Sequence, residues 1–233
     1  MLSFVLQYMT GSIELTDMLM IVGVLFFVAL CCLPVHECAH AWMADKLGDP
    51  TGRLKGRITL NPFAHLTLVG TLMMLIFGFG YAKPVPVNIR NFKKRKLYFA
   101  ITAIAGPVSN ILLSVIFIVF MYIFYIAGIF SSAGVLDVAI DFFFYVAYFN
   151  VMLAVFNLLP VPPLDGSRLV TMVIPDKYYY KLLSLERYFV YILFGLIFVF
   201  NRVFNFSPIS GISDFVFDCI YFVVSLPFEL ILR

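Results

Sequence analysis

The run 33–45, LPVHECAHAWMAD, follows 18–32, MLMIVGVLFFVALCC, which holds no charged residue. Two histidines and a glutamate therefore stand at the end of a long apolar helix. His36 and His40 are four residues apart, so on a helix they share one face. Two imidazoles so placed can hold one zinc, and Glu37 beside them can act as general base on water activated by that metal. With three histidines in 233 residues, a chance match to this pattern is expected in about one chain in a thousand of this composition. Packed histidines and a snorkelling glutamate are the bland alternative. Ionisable residues at membrane depth are costly and usually mark function, so the metal reading is preferred.

The rest of the chain matches that apolar helix. It is 63% hydrophobic and 12% charged, against about 45–50% and about 25% for soluble domains. An all-α polytopic membrane protein is expected, one domain over 1–233 with five or six transmembrane helices. Apolar runs lie at about 18–43, 64–80, 98–130, 138–160, 182–204 and 213–232. The last is interrupted by Asp214, Asp218 and Glu229, so it either spans or lies partly in the interface. The first helix has a natural stop at Gly48, and Pro34 is a candidate kink. No basic leader with a cleavage site begins the chain, so no processing is expected. Cys31, Cys32 and Cys38 sit far from Cys219, which suggests no disulfide framework.

Charge sets the sidedness. Basic residues cluster in 46–63 (Lys46, Arg53, Lys55, Arg57), 81–97 (Lys83, Arg90, Lys93, Lys94, Arg95, Lys96) and 166–187 (Arg168, Lys177, Lys181, Arg187). Only Arg202 and Arg233 lie elsewhere. The positive-inside rule makes all three loops cytoplasmic and leaves the N-terminus outside, in a multi-pass protein of the cell membrane. A full span at 64–80 would put the first two loops on opposite sides. That run is short and holds Gly70, Gly78 and Gly80, so it reads as a re-entrant hairpin shielded by protein. The segment YAKPVPVNI after it reads as extended, because each proline biases its predecessor away from helix. Lys93–Lys96 reads as an anchor to anionic lipid and not as nucleic-acid binding. Trp42, Tyr81 and Tyr98 suit the interface.

A catalytic zinc takes three protein ligands. His65 and Asp165 are the candidates for the third. Asp165, in NLLPVPPLDG (157–166), is alone an ordinary Asp-Gly turn residue. With 64–80 re-entrant, however, it falls on the same side as His36 and His40, which moves the balance towards ligand.

These residues carry a resemblance. The chain resembles intramembrane metalloproteases of the site-2 protease family, in the compact bacterial branch without PDZ or CBS domains. The shared motifs run in order over about 33–169: HECAH, GRITLNP (56–62), AKPVPVN (82–88), AGPVSN (105–110) and NLLPVPPLDG. The resemblance implies one zinc per chain held by His36, His40 and Asp165, with Glu37 as general base. It also implies a three-helix catalytic core and a transmembrane protein or peptide as substrate. One departure stands out. After NPFAH, similar proteins carry an Asp-Pro pair, where this chain reads Leu66-Thr67-Leu68-Val69-Gly70-Thr71. His65 is retained, as an accessory group near the metal or as a structural residue.

Asn157 and Asn110 are amide donors suited to an oxyanion or substrate, with helix–helix hydrogen bonding as the alternative. Gly106-Pro107 suits a kink or close packing. Val85 and Val87 are candidates for pairing edge-on with an unwound substrate. A catalytically silent metal-binding protein or a transporter, holding clients or ions, is the competing class. The intact Glu37 and the lack of an internal repeat speak against it. A zincin with Glu186 as third ligand lacks the expected local motif.

Overall fold

The computed structural model describes residues 14–67, 83–129, 134–174 and 208–231. Four of its helices are long and apolar enough to cross a membrane: α1 (Leu15–Lys46), α3 (Arg95–Ile129), α4 (Val135–Asn157) and α6 (Pro208–Ile231). Two short helices, α2 (Thr51–Leu54) and α5 (Gly166–Val173), join them. The protein is an all-α membrane protein, as its composition implies. The expected span 182–204 and most of the re-entrant run 64–80 lie outside the described residues.

Pro34 does not break α1. It lacks an N–H, and its ring would press on the carbonyl one turn back. The helix meets this with a π-turn at Val28–Cys32, immediately ahead of the proline. The wider turn adds a residue, which rotates the C-terminal half of the helix by about 100°. The rotated face carries His36 and His40, both buried. The helix ends where expected: Gly48 takes φ 106°, and the Asp49 N–H returns to the Ala44 carbonyl at 2.8 Å.

In lipid, helices gain little from apolar burial and rely on close packing of small residues. The buried Ala41 and Ala44 of α1, Ala100 and Ala103 of α3, and Ala147 and Ala154 of α4 provide it. Val24, Val28 and Cys32, Phe117, Ile118 and Met121, and Val146, Val151 and Val155 close the three-helix core. Leu19, Leu112, Ile116 and Ile123 face outward, where lipid is their solvent.

The helix directions are set by contacts. Thr102 and Gly106 of α3 meet His40 and His36 of α1, so these two helices are antiparallel. Asp214 and Phe217, early in α6, meet Tyr148 and Phe144 of α4. Tyr221 and Phe228, later in α6, meet Tyr122 of α3. Helix α6 therefore runs parallel to α3 and antiparallel to α4.

The ends of α1 and α4 and the start of α3 gather at one end of the bundle, where Asp165 meets His40 of α1 and Lys96 of α3 meets Ile174. Asp49 fastens this end. Fully buried, it accepts from the Thr51 N–H (3.1 Å), the Asn88 N–H (2.7 Å) and Asn91 Nδ2 (2.6 Å). Burial pushes its carboxyl up, but these donors and the Thr51 hydroxyl outweigh it and hold the pKa below the ordinary value. On the other side, Lys96 Nζ donates to the Ile174 carbonyl at 2.9 Å.

Residues 83–88 have no regular secondary structure. At the start of the described part of this segment, the Lys83 N–H donates to the His65 carbonyl at 2.6 Å.

Candidate metal centre

One turn of α1 presents His36 and His40 towards α3, and the start of α5 brings Asp165 to them. The three atoms form a small triangle. His36 Nε2 and His40 Nε2 are 3.0 Å apart, and Asp165 Oδ2 lies 3.1 Å from His40 Nε2 and 3.3 Å from His36 Nε2. All three residues are buried.

A tetrahedral zinc with bonds of about 2.0–2.1 Å sets its ligand atoms about 3.3 Å apart, so the triangle is close to one face of such a site. The chemistry of the donors agrees. His40 Nδ1–H donates to the Thr102 carbonyl at 2.8 Å, which leaves the Nε2 lone pair pointing into the triangle. Lone pairs of two imidazoles and a carboxylate facing one point repel each other unless a cation sits among them. Among the described residues, no other group of three metal-ligating side chains comes together.

Two glycines make the approach possible. A Cβ on Gly106 would collide with both histidine rings, at His36 Cε1 and Nε2 and at His40 Nε2. Of the two roles that the sequence leaves to Gly106, close packing is therefore the one observed. A Cβ on Gly166 would strike the backbone of Leu158 and Leu159. The Asp-Gly pair is thus required by close approach of the chain to itself. Asp165 stands at the N-cap of α5 yet caps nothing, because its carboxylate turns to the histidines. Burial raises its pKa, and the two imidazoles override that and hold it well below the usual carboxylate range. Arg168 Nη1 stands 4.0 Å from the other oxygen.

Glu37 is half-buried next to the triangle but outside it. Near it is Arg57, itself buried, whose two terminal nitrogens donate to the Ala64 and Lys83 carbonyls and which feels the Glu37 charge without pairing with it. Burial lowers the guanidinium pKa, and the Glu37 carboxylate opposes that shift. Arg57 thereby closes the neck between residues 64 and 83. His65 belongs to the same neck. It is fully buried, its Nε2–H donates to the Thr59 carbonyl at 2.8 Å, and it does not join the donor triangle.

The remaining candidates are more dispersed. Asn157 donates from Nδ2 to the Leu153 carbonyl of its own helix at 2.9 Å. Asn110 is fully buried in α3, one turn beyond Gly106, with neither amide atom hydrogen-bonded. Val85 is buried, packing towards Gly52, and Val87 is half-buried. Sequence reasoning missed the Thr102 carbonyl, the Asp49 hub and the Arg57 clasp. Of these only Arg57 had a signal, since it lies in GRITLNP.

Comparisons with known proteins give the family. The family model described as Peptidase family M50 matches residues 125–200, which include Asp165. The "Putative zinc metalloprotease YwhC" of Bacillus subtilis is 41% identical over 166 residues, covering 71% of this chain and 75% of that protein. The chain belongs to peptidase family M50, the site-2 proteases. Two further relatives are more distant. "Putative zinc metalloprotease MJ0611" of Methanocaldococcus jannaschii is 29% identical over 58% of this chain and 62% of its own length. "Putative zinc metalloprotease Rip3" of Mycobacterium tuberculosis is 33% identical over 60% of this chain and 28% of its own length. No solved structure matches the chain. Membership of M50 makes it a metalloprotease, and zinc is the metal that the His-His-Asp donor set suits.

Proposed function

We propose that the chain is an intramembrane endopeptidase that hydrolyses peptide bonds in or near transmembrane segments of other membrane proteins. The observation that carries this reading is where the donor triangle lies along α1. His40 and His36 are six and ten residues before Lys46, about 9 and 15 Å of helix from the charged end, inside the apolar bundle. A substrate that reaches such a site comes from the bilayer.

In this reading His36, His40 and Asp165 hold one zinc per chain. The metal supplies Lewis acidity that brings the pKa of water towards ~7. Glu37 takes the proton of the attacking water as its oxygen bonds the scissile carbonyl carbon. It then delivers that proton to the leaving amine as the C–N bond breaks. Asn157 is the candidate amide donor for the developing oxyanion once it swings off its own helix. His65 acts with Arg57 as a clasp behind the site. The basic loops 46–63, 81–97 and 166–187 face the cytoplasm and the N-terminus faces outside, so the site opens near the cytoplasmic surface.

A transmembrane substrate must be unwound, because a helical amide is shielded by its own turn. The segment 83–88 offers an edge for it. Lys83 and Val85 precede prolines and are held extended. In an extended chain the N–H groups of Lys83, Val85 and Val87 point one way, and Pro84 and Pro86 leave the opposite edge without donors. Lys83 uses its N–H on His65, and Val85 and Val87 continue the same edge, where a substrate strand can add.

The test is cleavage of a single-span membrane protein by the purified chain in lipid vesicles, with the cut mapped by mass spectrometry. The expected cut lies within or beside the span, is lost on chelation and returns with zinc. Val87→Pro is expected to lower kcat/KM at least tenfold at unchanged zinc content; Val85→Pro does the same but also disturbs packing on Gly52. Cuts confined to soluble loops would refute intramembrane cleavage, and full activity of Val87→Pro would remove the strand-pairing step.

A further inference from the structure

The two histidines differ in how their second nitrogen is held. His40 Nδ1 has the Thr102 carbonyl, whereas His36 Nδ1 is buried with no hydrogen-bond partner. Metal-bound histidines almost always donate that second N–H, which fixes tautomer and ring orientation. An orphaned imidazole nitrogen inside a membrane bundle is costly.

A complementary orphan lies nearby. Asn110 is fully buried, and both its Nδ2 and its Oδ1 lack partners. The register of α1 and α3 puts the two groups together. Thr102 meets His40, and Gly106 meets His36 and His40. One further turn along α3 therefore brings Asn110 level with the turn of α1 between His36 and Cys32. Side chains lean towards the N-terminus of their own helix, so the His36 ring leans into that layer. A Cβ on Gly106 would land on the ring at Cε1, an atom bonded to Nδ1, so α3 passes close to that side of the imidazole. The other asparagine in the layer, Asn150, has its Nδ2 on the Val146 carbonyl at 2.8 Å and 3.4 Å from Cys32 Sγ, while its Oδ1 is likewise without a partner, which makes it the competing acceptor that the test must separate from Asn110.

We propose that Asn110 is the positioning residue for His36: its Oδ1 accepts the His36 Nδ1–H, directly or across one buried water, as the Thr102 carbonyl does for His40. This rests on zinc binding by His36, His40 and Asp165, and it replaces the substrate role considered for Asn110. The side chain acts through a ligand and does not touch the substrate.

Zinc affinity and the cobalt absorption spectrum test this without reference to activity. Wild type, Asn110→Leu, Asn110→Asp and Asn150→Leu are purified, checked for monodispersity and titrated with zinc against a competing chelator. Asn110→Leu is expected to raise the zinc Kd about 10–100-fold and to shift the cobalt d–d bands. Asn110→Asp, which keeps an acceptor, is expected to restore affinity and spectrum to near wild type, and Asn150→Leu to leave both unchanged. If Asn110→Leu fails to fold, Asn110→Ala takes its place, and the Asp rescue stays decisive. A zinc Kd within twofold of wild type for Asn110→Leu overturns the proposal. So does a loss confined to Asn150→Leu. A wild type that binds no zinc sinks the metal reading itself, a different outcome from a zinc-binding wild type that is indifferent to Asn110.

Discussion

Glu37→Gln is expected to abolish cleavage and leave one zinc per chain in place. The substitution keeps the shape and polarity of the side chain and removes the only function assigned to it, carrying a proton from water to the leaving amine. Glu37 lies outside the donor triangle of His36, His40 and Asp165, so the metal keeps all three ligands. A positioned general base contributes about 10²–10⁴-fold, and a loss of kcat/KM of at least about 100-fold is expected. The same variant separates the competing classes, because a metal-binding protein or a transporter would keep most of its function. Cleavage within tenfold of wild type would take the proton-transfer role away from Glu37.

Gly106→Ala is expected to do the reverse and remove the metal. Its methyl group would land against His36 Cε1 and Nε2 and His40 Nε2, closer than real Cβ contacts come. His40 is tied to the Thr102 carbonyl of the same helix, so it cannot swing aside without losing that bond. Either α3 withdraws from α1 or the triangle opens. Overpacking of this kind costs about 1–3 kcal/mol, and the displacement falls on the ligands themselves. Zinc content is expected to drop below about a tenth of wild type, with cleavage falling in parallel, because holding two ligands off their positions breaks the first shell. Gly23→Ala, on a part of α1 with nothing within 4 Å of the added carbon, is the matched control and keeps its zinc. Full zinc in Gly106→Ala would mean that the helices tolerate a wider spacing than the site requires.

The ligands were more legible in the sequence than the parts that hold them. His36 and His40 announce themselves by a four-residue spacing on an apolar helix. Asp165 needed a topological argument, because Asp-Gly is a common turn. That argument depended on three basic segments sharing one side and on a re-entrant 64–80, most of which lies outside the described residues; the meeting of Asp165 with His36 and His40 is what the structure shows. Gly48 was readable as a helix stop. The supports were not readable, because they are mostly backbone. The carbonyls of Thr102, Ala64 and Lys83 carry no residue-type signal, since any residue supplies one. The π-turn before Pro34 likewise depends on how the helix absorbs a missing N–H. His65 shows the converse: a histidine near a metal motif whose bond to the Thr59 carbonyl makes it part of a loop clasp.

The most direct measurement is the zinc content of the purified wild type beside Asp165→Ala. The account predicts one zinc per chain in wild type and a large loss in the variant, because Asp165 supplies one corner of a buried three-atom triangle. Equal zinc in the two proteins would contradict it, since the metal would then be held without the residue on which the assembly of α1, α3 and α5 converges.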